Sequence, residues 1–198
     1  MGRKVASVKN AEPISKIFYM KHLTILYKEK TVPLFQKEFG VTSQLAVPRI
    51  EKVTVNIGIG RLKDDKEREE ARRFLELVTG QKPEPRPARI AIASFKTRKG
   101  SLVGLRVTLR GKRMWDFLER FVYVAIPRMR DFRGLPATAV DEHGNLNIGV
   151  REHIIFPEMI GEDIRRVFSL QVIVTTNAHT HERADALFRS LGFPLAKK

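Results

Sequence analysis

Between Lys82 and Arg113 the chain carries Lys82, Arg86, Arg89, Lys96, Arg98, Lys99, Arg106, Arg110, Lys112 and Arg113, with Glu84 as the single acid. The chemistry open to such a run is the binding of a polyanion. A solvated basic surface is the alternative. Against it, like charges set across a sheet repel one another, and a polyanion relieves that repulsion. Strand faces sharpen the expectation. Leu105, Val107 and Leu109 alternate with Arg106, Thr108 and Arg110, and Val53, Val55 and Ile57 alternate with Thr54 and Asn56. If the apolar sets face a core, cations and short hydrogen-bonding groups share the opposite face. That mixture suits an RNA backbone and its 2′-hydroxyls better than a DNA major groove, which a helix usually reads. The run Ser94-Phe95-Lys96-Thr97-Arg98-Lys99-Gly100 sets one ring in a basic loop, where Phe95 either stacks on a base or packs inward.

Catalytic chemistry finds less support. The chain has no cysteine, so thiol nucleophiles, disulfides and cysteine-based zinc sites are excluded. Gly58-Ile59-Gly60 follows a strand pattern as a dinucleotide loop would, but the third glycine is missing and Asp64 and Asp65 stand where phosphate would sit. Asp64, Asp65 and Glu67 are accounted for by the positive end of a helix dipole. His179 and His181 flank Thr180 without a third ligand in view, and are expected as exposed turn residues. No Ser/His/Asp arrangement carries a local signature. No metal or cofactor is expected.

The elements that must position these groups follow from periodicity. Apolar spacing predicts a helix over Lys21 to Phe39, with Pro33 as a flaw and Gly40 as a stop. A strand follows over Arg49 to Ile57, then a charged helix over Asp64 to Thr79 with Gly80 as its C-cap. Arg89 to Phe95 reads as a strand or loop edge, Leu102 to Arg110 as a strand, and Lys112 to Ile126 as an amphipathic helix stopped by Pro127. Asp131 to Gly149 is expected to be irregular. Leu170 to Thr176 is a last strand and Glu182 to Leu191 a closing helix. Strands and helices mix without regular alternation, which predicts an α+β fold: a mostly antiparallel sheet with helices packed on one face and a polar, basic opposite face for RNA. The 198 residues suit a single domain over 21–198, with a projecting loop at 93–100, behind a basic N-terminal tail over 1–20.

Whole-chain charge agrees. Lys plus Arg is 37 and Asp plus Glu 22, a net charge of +15. Nucleic acid and anionic membrane are the polyanions that such an excess suits. No apolar run approaches the roughly 18 residues of a membrane-spanning helix, and residues 1–20 lack the apolar core of a signal peptide. Nucleic acid is the expected partner, with no membrane.

Several segments form long, ordered motifs. They are Val47-Pro48-Arg49-Ile50-Glu51-Lys52, Asn56-Ile57-Gly58-Ile59-Gly60, Thr79-Gly80-Gln81-Lys82-Pro83, Val107-Thr108-Leu109-Arg110-Gly111 and Arg113-Met114-Trp115. Further on come Pro127-Arg128-Met129-Arg130-Asp131-Phe132-Arg133-Gly134-Leu135, Gly149-Val150-Arg151-Glu152, Ile155-Phe156-Pro157-Glu158 and Gly192-Phe193-Pro194. Together they resemble the L-five family of large-subunit ribosomal proteins; the resemblance runs from about Met20 onward and is to the bacterial or organellar form. It departs from the usual pattern at Val140 and Leu146, where an aromatic is common, and Met1 to Tyr19 has no counterpart in typical members.

The resemblance implies an α+β, non-enzymatic, RNA-binding protein that carries 5S rRNA in the central protuberance. Asn56, Gln81 and Thr108 become the polar contacts, and Lys82, Arg106 and Arg110 the phosphate partners. Ser94, Phe95, Lys96, Thr97, Arg98 and Lys99 become the loop that touches P-site tRNA. Arg130, Asp131 and Arg133 face a small-subunit head protein at an intersubunit bridge. Implied partners also include other large-subunit proteins associated with 5S rRNA, with the chain a monomer within the ribosome. The implied location is the cytoplasmic ribosome, or an organellar one. The competing expectation is a nucleic-acid-processing enzyme or accessory factor that uses the same basic face.

Overall fold

The computed structural model describes residues 22–62, 64–95, 97–159 and 167–196. The tail expected over 1–20 lies outside the described residues.

The first helix is built from α1 (Leu23–Leu26), a π turn (Tyr27–Thr31) and α2 (Val32–Glu38). Pro33 has no N–H to donate back along the helix, and its ring crowds the preceding turn. The wider π turn placed just before it lets the helix run on where a regular one would break. Leu23, Leu26, Val32 and Phe35 are buried. Thr31 is fully buried as well, its hydroxyl 2.7 Å from the Ser190 hydroxyl, so the helix is pinned to the C-terminal region.

Strand β1 (Ile50–Gly58) buries every second residue from Val53 to Ile57. Helix α3 (Asp65–Thr79) starts at Asp64, whose carboxylate accepts the Lys66 N–H, and ends at Gly80 with φ of 65°. A short strand β2 (Glu84–Pro87) precedes β3 (Leu102–Leu109). Helix α4 (Gly111–Arg120) continues through a second π turn (Phe121–Ala125) into a 3-10 turn (Ile126–Arg128) that holds Pro127. Strand β4 (Leu146–Val150), strand β5 (Leu170–Thr176) and helix α5 (His181–Ser190), capped by the Thr180 hydroxyl, complete the order.

The strands form one antiparallel sheet in the order β2-β3-β1-β5-β4. Its inner face stacks Val53 against Leu109 and Val174, Val55 against Val107 and Val172, and Ile57 against Leu105 and Leu170. Helices α3 and α4 cover that face with Phe74, Leu75, Phe117 and Leu118, and Phe117, Phe121 and Phe156 stack at centroid separations of 5.7–6.3 Å. Arg120 ties the layer together, paired with Glu158 and donating 2.9 Å to the Val78 carbonyl. The α+β expectation holds, with the helices on one face of the sheet.

Two strands differ from expectation. β2 falls at Glu84–Pro87, ahead of the expected edge at Arg89 to Phe95, which forms a bend and a 3-10 turn (Ala93–Phe95) instead. Pro85 and Pro87 lower strand propensity and are tolerated because β2 is an edge strand, bonded on one side only. β4 takes up the end of the segment expected to be irregular. Leu146, Ile148 and Val150 point into the core against Val174, Val172 and Leu170.

Candidate nucleic-acid interface

Register fixes what the uncovered face of the sheet presents. Reading from β2 to β4, one row runs Glu84, Arg106, Asn56, Gln171, Gly149. The next runs Thr108, Thr54, Ile173, Asn147. Arg106, Asn56, Thr108, Thr54 and Asn147 are half-buried, and Glu84, Gln171 and Gly149 are exposed. Asn56 and Thr108 therefore share the outer face, as their alternation requires.

The cations are less uniform. Glu84 receives Arg106 at 2.8 Å and Arg86 at 3.1 Å. The Arg106 hydrogen bond is the main reason the Glu84 carboxyl sits below its usual range, with the charges of both guanidinium groups adding to it. Arg106 is thus on the expected face but already partnered. Gln81 donates its side-chain amide 3.3 Å to the Thr108 carbonyl, which fixes it at the edge of the sheet rather than leaving it free. Lys82 is exposed at the open β2 edge, where it lines a depression with Asp65, Arg68, Glu69 and Arg72 of α3, on the helix side. Arg110 is exposed at the far end of β3, beside Arg49, Tyr27 and Trp115. Burial raises the Tyr27 hydroxyl pKa, against the opposing pull of the Arg49 charge.

The loop between β2 and β3 is closed at its base by the Ala88 N–H to Ser101 carbonyl bond of 2.8 Å and the Gly100 N–H to Ala88 carbonyl bond of 2.9 Å. Nearer its tip, Ile92 and Thr97 exchange both backbone hydrogen bonds, at 3.0 and 3.1 Å. Phe95 is 75% exposed and Ile90 72% exposed, so Phe95 does not pack into the core. Ser94, Arg98 and Lys99 are exposed, Thr97 is half-buried and donates its hydroxyl to the Phe95 carbonyl, and Lys96 lies outside the described residues. Arg130, Asp131 and Arg133 are all exposed, on the turn after the 3-10 turn that ends α4; Asp131 has φ of 54°. Arg130 and Asp131 line a depression of about 350 Å³ with Arg151 and Glu152.

Enzyme-like features resolve into structure. The N–H groups of Ile59 and Gly60 both donate to the Val103 carbonyl, at 2.9 and 3.0 Å, and so are turned away from any phosphate. His179 is exposed with φ of 59°. His181, expected to be exposed, is half-buried on the first turn of α5 and lies 3.4 Å from the Ala137 carbonyl. Among the described residues no three His, Asp or Glu side chains are grouped to hold a metal.

Two family profiles match the chain: "Ribosomal protein L5" over residues 43–98, and the C-terminal region of the same ribosomal family over residues 102–195. The "Large ribosomal subunit protein uL5" of Idiomarina loihiensis is 47% identical over 179 residues, covering 90% of this chain and all of the relative. Proteins of the same name from Shewanella sp. (48% identical, 86% of this chain, 96% of the relative) and Mycoplasma pneumoniae (44%, 90% and 99%) are similar over nearly the same span. The chain belongs to the ribosomal protein L5 family. It is of the bacterial type, and the family is ribosomal and not enzymatic, which removes the competing expectation of a nucleic-acid-processing enzyme.

In this L5 family member the outer face also presents groups absent from the sequence-based expectations. Gln171 lies in a predicted strand, and its alternation with Val172 and Val174 is the available signal. Asn147 is hidden because β4 lies in a stretch rich in Gly, Asp and Asn. Arg151, directly after β4, is exposed beside Gly149.

Proposed function

We propose that this chain is a structural constituent of the large ribosomal subunit that binds 5S rRNA with the outer face of its sheet and helps to attach it in the central protuberance. The observation that carries the reading is the polar face itself: Asn56, Thr54, Thr108, Gln171 and Asn147 stand in register across four strands on the side away from the helices. Side-chain amides and hydroxyls both donate and accept, as the ribose 2′-hydroxyl does. Asn56, Gln81 and Thr108 are assigned as polar contacts. Lys82, Arg106 and Arg110 are assigned as phosphate partners, with Arg106 having to leave Glu84 on binding.

The loop from Ser94 to Lys99 is assigned to P-site tRNA. Its exposed ring and cations can grip a backbone and stack once without reading sequence. Arg130, Asp131 and Arg133 are assigned to the bridge with a small-subunit head protein, beside other proteins associated with 5S rRNA. The working site is the ribosome, in the cytoplasm or an organelle, and the chain acts as a single domain over 21–198. Met1 to Tyr19 are dispensable: a chain starting at Met20 is expected to fold and to bind 5S rRNA.

Filter binding with 5S rRNA and an unrelated hairpin tests the main assignment. 5S rRNA should bind much more tightly, with affinity falling by roughly a decade or more between 50 and 200 mM salt. Equal affinity for both RNAs at every salt concentration would overturn it.

A further inference from the structure

The turn that carries Arg130, Asp131 and Arg133 has two residues in the left-handed region of backbone space, Asp131 with φ of 54° and Gly134 with φ of 109°. Only glycine adopts that region freely, so at Asp131 it persists because the surroundings impose it. Those surroundings include the last described residues of the chain. Leu135 donates its N–H to the Pro194 carbonyl at 2.8 Å, and the Ala196 N–H donates to the Leu135 carbonyl at 2.8 Å. The two segments run parallel, with Leu135 opposite Leu195. Both leucines are buried, and Phe193 packs edge-on against Phe188 of α5 at a centroid separation of 5.2 Å.

Arg189, in the last turn of α5, holds this C-terminal segment in place. An arginine there would ordinarily serve the open carbonyls of its own helix end. Instead its Nη2 donates 3.0 Å to the Ala196 carbonyl, and its Nη1 reaches the Leu195 carbonyl at 3.5 Å. Its Nε donates 2.8 Å to the Asp185 carboxylate one turn back, which sets the plane of the guanidinium. One chain of contacts thus leads from α5 through residues 194–196 to Leu135.

The fit is close on the other side as well. A Cβ on Gly134 would stand 3.3 Å from the Ala196 nitrogen and 3.4 Å from the Pro194 carbonyl oxygen, which leaves almost no room for a side chain. Just past the turn, the His181 Nε2 lies 3.4 Å from the Ala137 carbonyl, a second tie to the start of α5.

We infer that Arg189 is a positioning residue for the turn that carries Arg130, Asp131 and Arg133. It acts through the C-terminal segment, which keeps the turn in one conformation. The functional half of this inference rests on the assignment of those three residues to the intersubunit bridge. Three exposed side chains on a surface turn bind better when the turn is ordered beforehand, because less freedom is lost on contact.

Two measurements read the clamp and the bridge separately. Amide hydrogen exchange of the full chain reads the clamp. In Arg189→Ala the N–H groups of Leu135 and Ala196 should exchange roughly tenfold faster or more, while those of β1 and β5 keep their protection. Gly134→Ala disturbs the same fit from the other side and should give the same pattern. Arg189→Lys keeps the charge but cannot serve Asp185 and both carbonyls together, so it should fall between. Magnesium titration of subunit joining reads the bridge, with large subunits carrying each variant and wild-type small subunits. Arg189→Ala should raise the magnesium concentration needed for half-joining, and Arg133→Ala should raise it more. Unchanged exchange at Leu135 in both Arg189→Ala and Gly134→Ala overturns the clamp. Faster exchange with wild-type joining, where Arg133→Ala weakens joining, overturns the positioning role. Wild-type joining in an Arg130→Ala, Arg133→Ala double variant overturns the bridge assignment itself, and the positioning role with it. If Arg189→Ala does not fold, Arg189→Lys and Gly134→Ala carry the same test.

Discussion

On the β2–β3 half of the outer face Arg86 and Arg106 are already held by Glu84, whereas on the β1–β5–β4 half the polar side chains have no partner among the described residues. Glu84 holds Arg86 and Arg106 within 3.1 Å, and Gln81 is bound to the Thr108 carbonyl. Across β1, Asn56, Gln171 and Asn147 face solvent with free amides. Two arginines of the more charged half are therefore engaged before any RNA arrives. An exposed ion pair is worth little, roughly 0–1 kcal/mol, but it must still be opened before either member can serve a phosphate. Counting cations along the sequence locates the polyanion-binding protein. It does not locate the contacts.

The largest effect should follow from cutting into the free half. Asn56→Ala should cost about 1–3 kcal/mol of 5S rRNA affinity, the penalty for leaving a buried polar partner on the RNA unsatisfied, with no change in the unfolding curve. Wild-type affinity would remove the amide half from the interface. A smaller effect, of opposite sign, should follow from Glu84→Gln. It frees Arg106 in advance and Arg86 for a new contact, so affinity at low salt should rise and the salt slope should steepen by up to about one. Unchanged affinity and slope together would mean that neither arginine reaches a phosphate. Smallest of all, replacing Lys96, Arg98 and Lys99 with Ala should leave 5S rRNA affinity of the isolated protein within about twofold. The same change should weaken tRNA retention in the P site of assembled ribosomes. A large loss of 5S rRNA affinity with normal tRNA occupancy would place the loop in the 5S rRNA footprint instead.

Acid should separate the face from the core beneath it. His153 is fully buried between Phe74 and Phe168, and its Nδ1 accepts the Phe168 N–H at 3.1 Å. Burial lowers its pKa below the usual histidine value. The unfolded chain then takes up the proton more readily than the folded one, so stability is full above about pH 6.5 and falls as pH drops below it. Tm measured at pH 7.5, 6.0 and 5.0 should fall in that order, and His153→Asn should flatten the trend. The outer face has no histidine in either row, so RNA binding at constant folded fraction should stay level across the same range.

What the sequence displays depends on the length and purity of each pattern. β1, β3, α3, α4 and α5 announce themselves because long apolar periods meet clear caps, such as Asp64 and Gly80. β2 does not, because Pro85 and Pro87 look like a loop until β3 is known to lie beside them. β4 does not, because its alternation of Leu146, Ile148 and Val150 occupies only five residues after a run of Gly, Asp and Asn. The π turns are silent, since they change hydrogen bonding without changing the apolar stripe. In the candidate site the outward alternation at Asn56, Arg106 and Thr108 is readable. The Glu84–Arg106 pair is not, because 22 residues separate its members and only the β2–β3 register brings them together. Lys82 shows the same limit: two residues ahead of the β2 strand, alternation no longer says which side a side chain takes.

The prolines of β2 also bear on the life of the protein before it meets RNA. A five-stranded sheet has two edges, and an unguarded edge is a template for pairing with another copy. Pro85 and Pro87 remove two of the N–H donors from one edge, and the register shift between Arg86 and Pro87 bends it further. At the other edge the Val140–Leu146 bridge covers the start of β4. A newly made chain thus offers its neighbours less backbone to zip onto at both edges of the sheet.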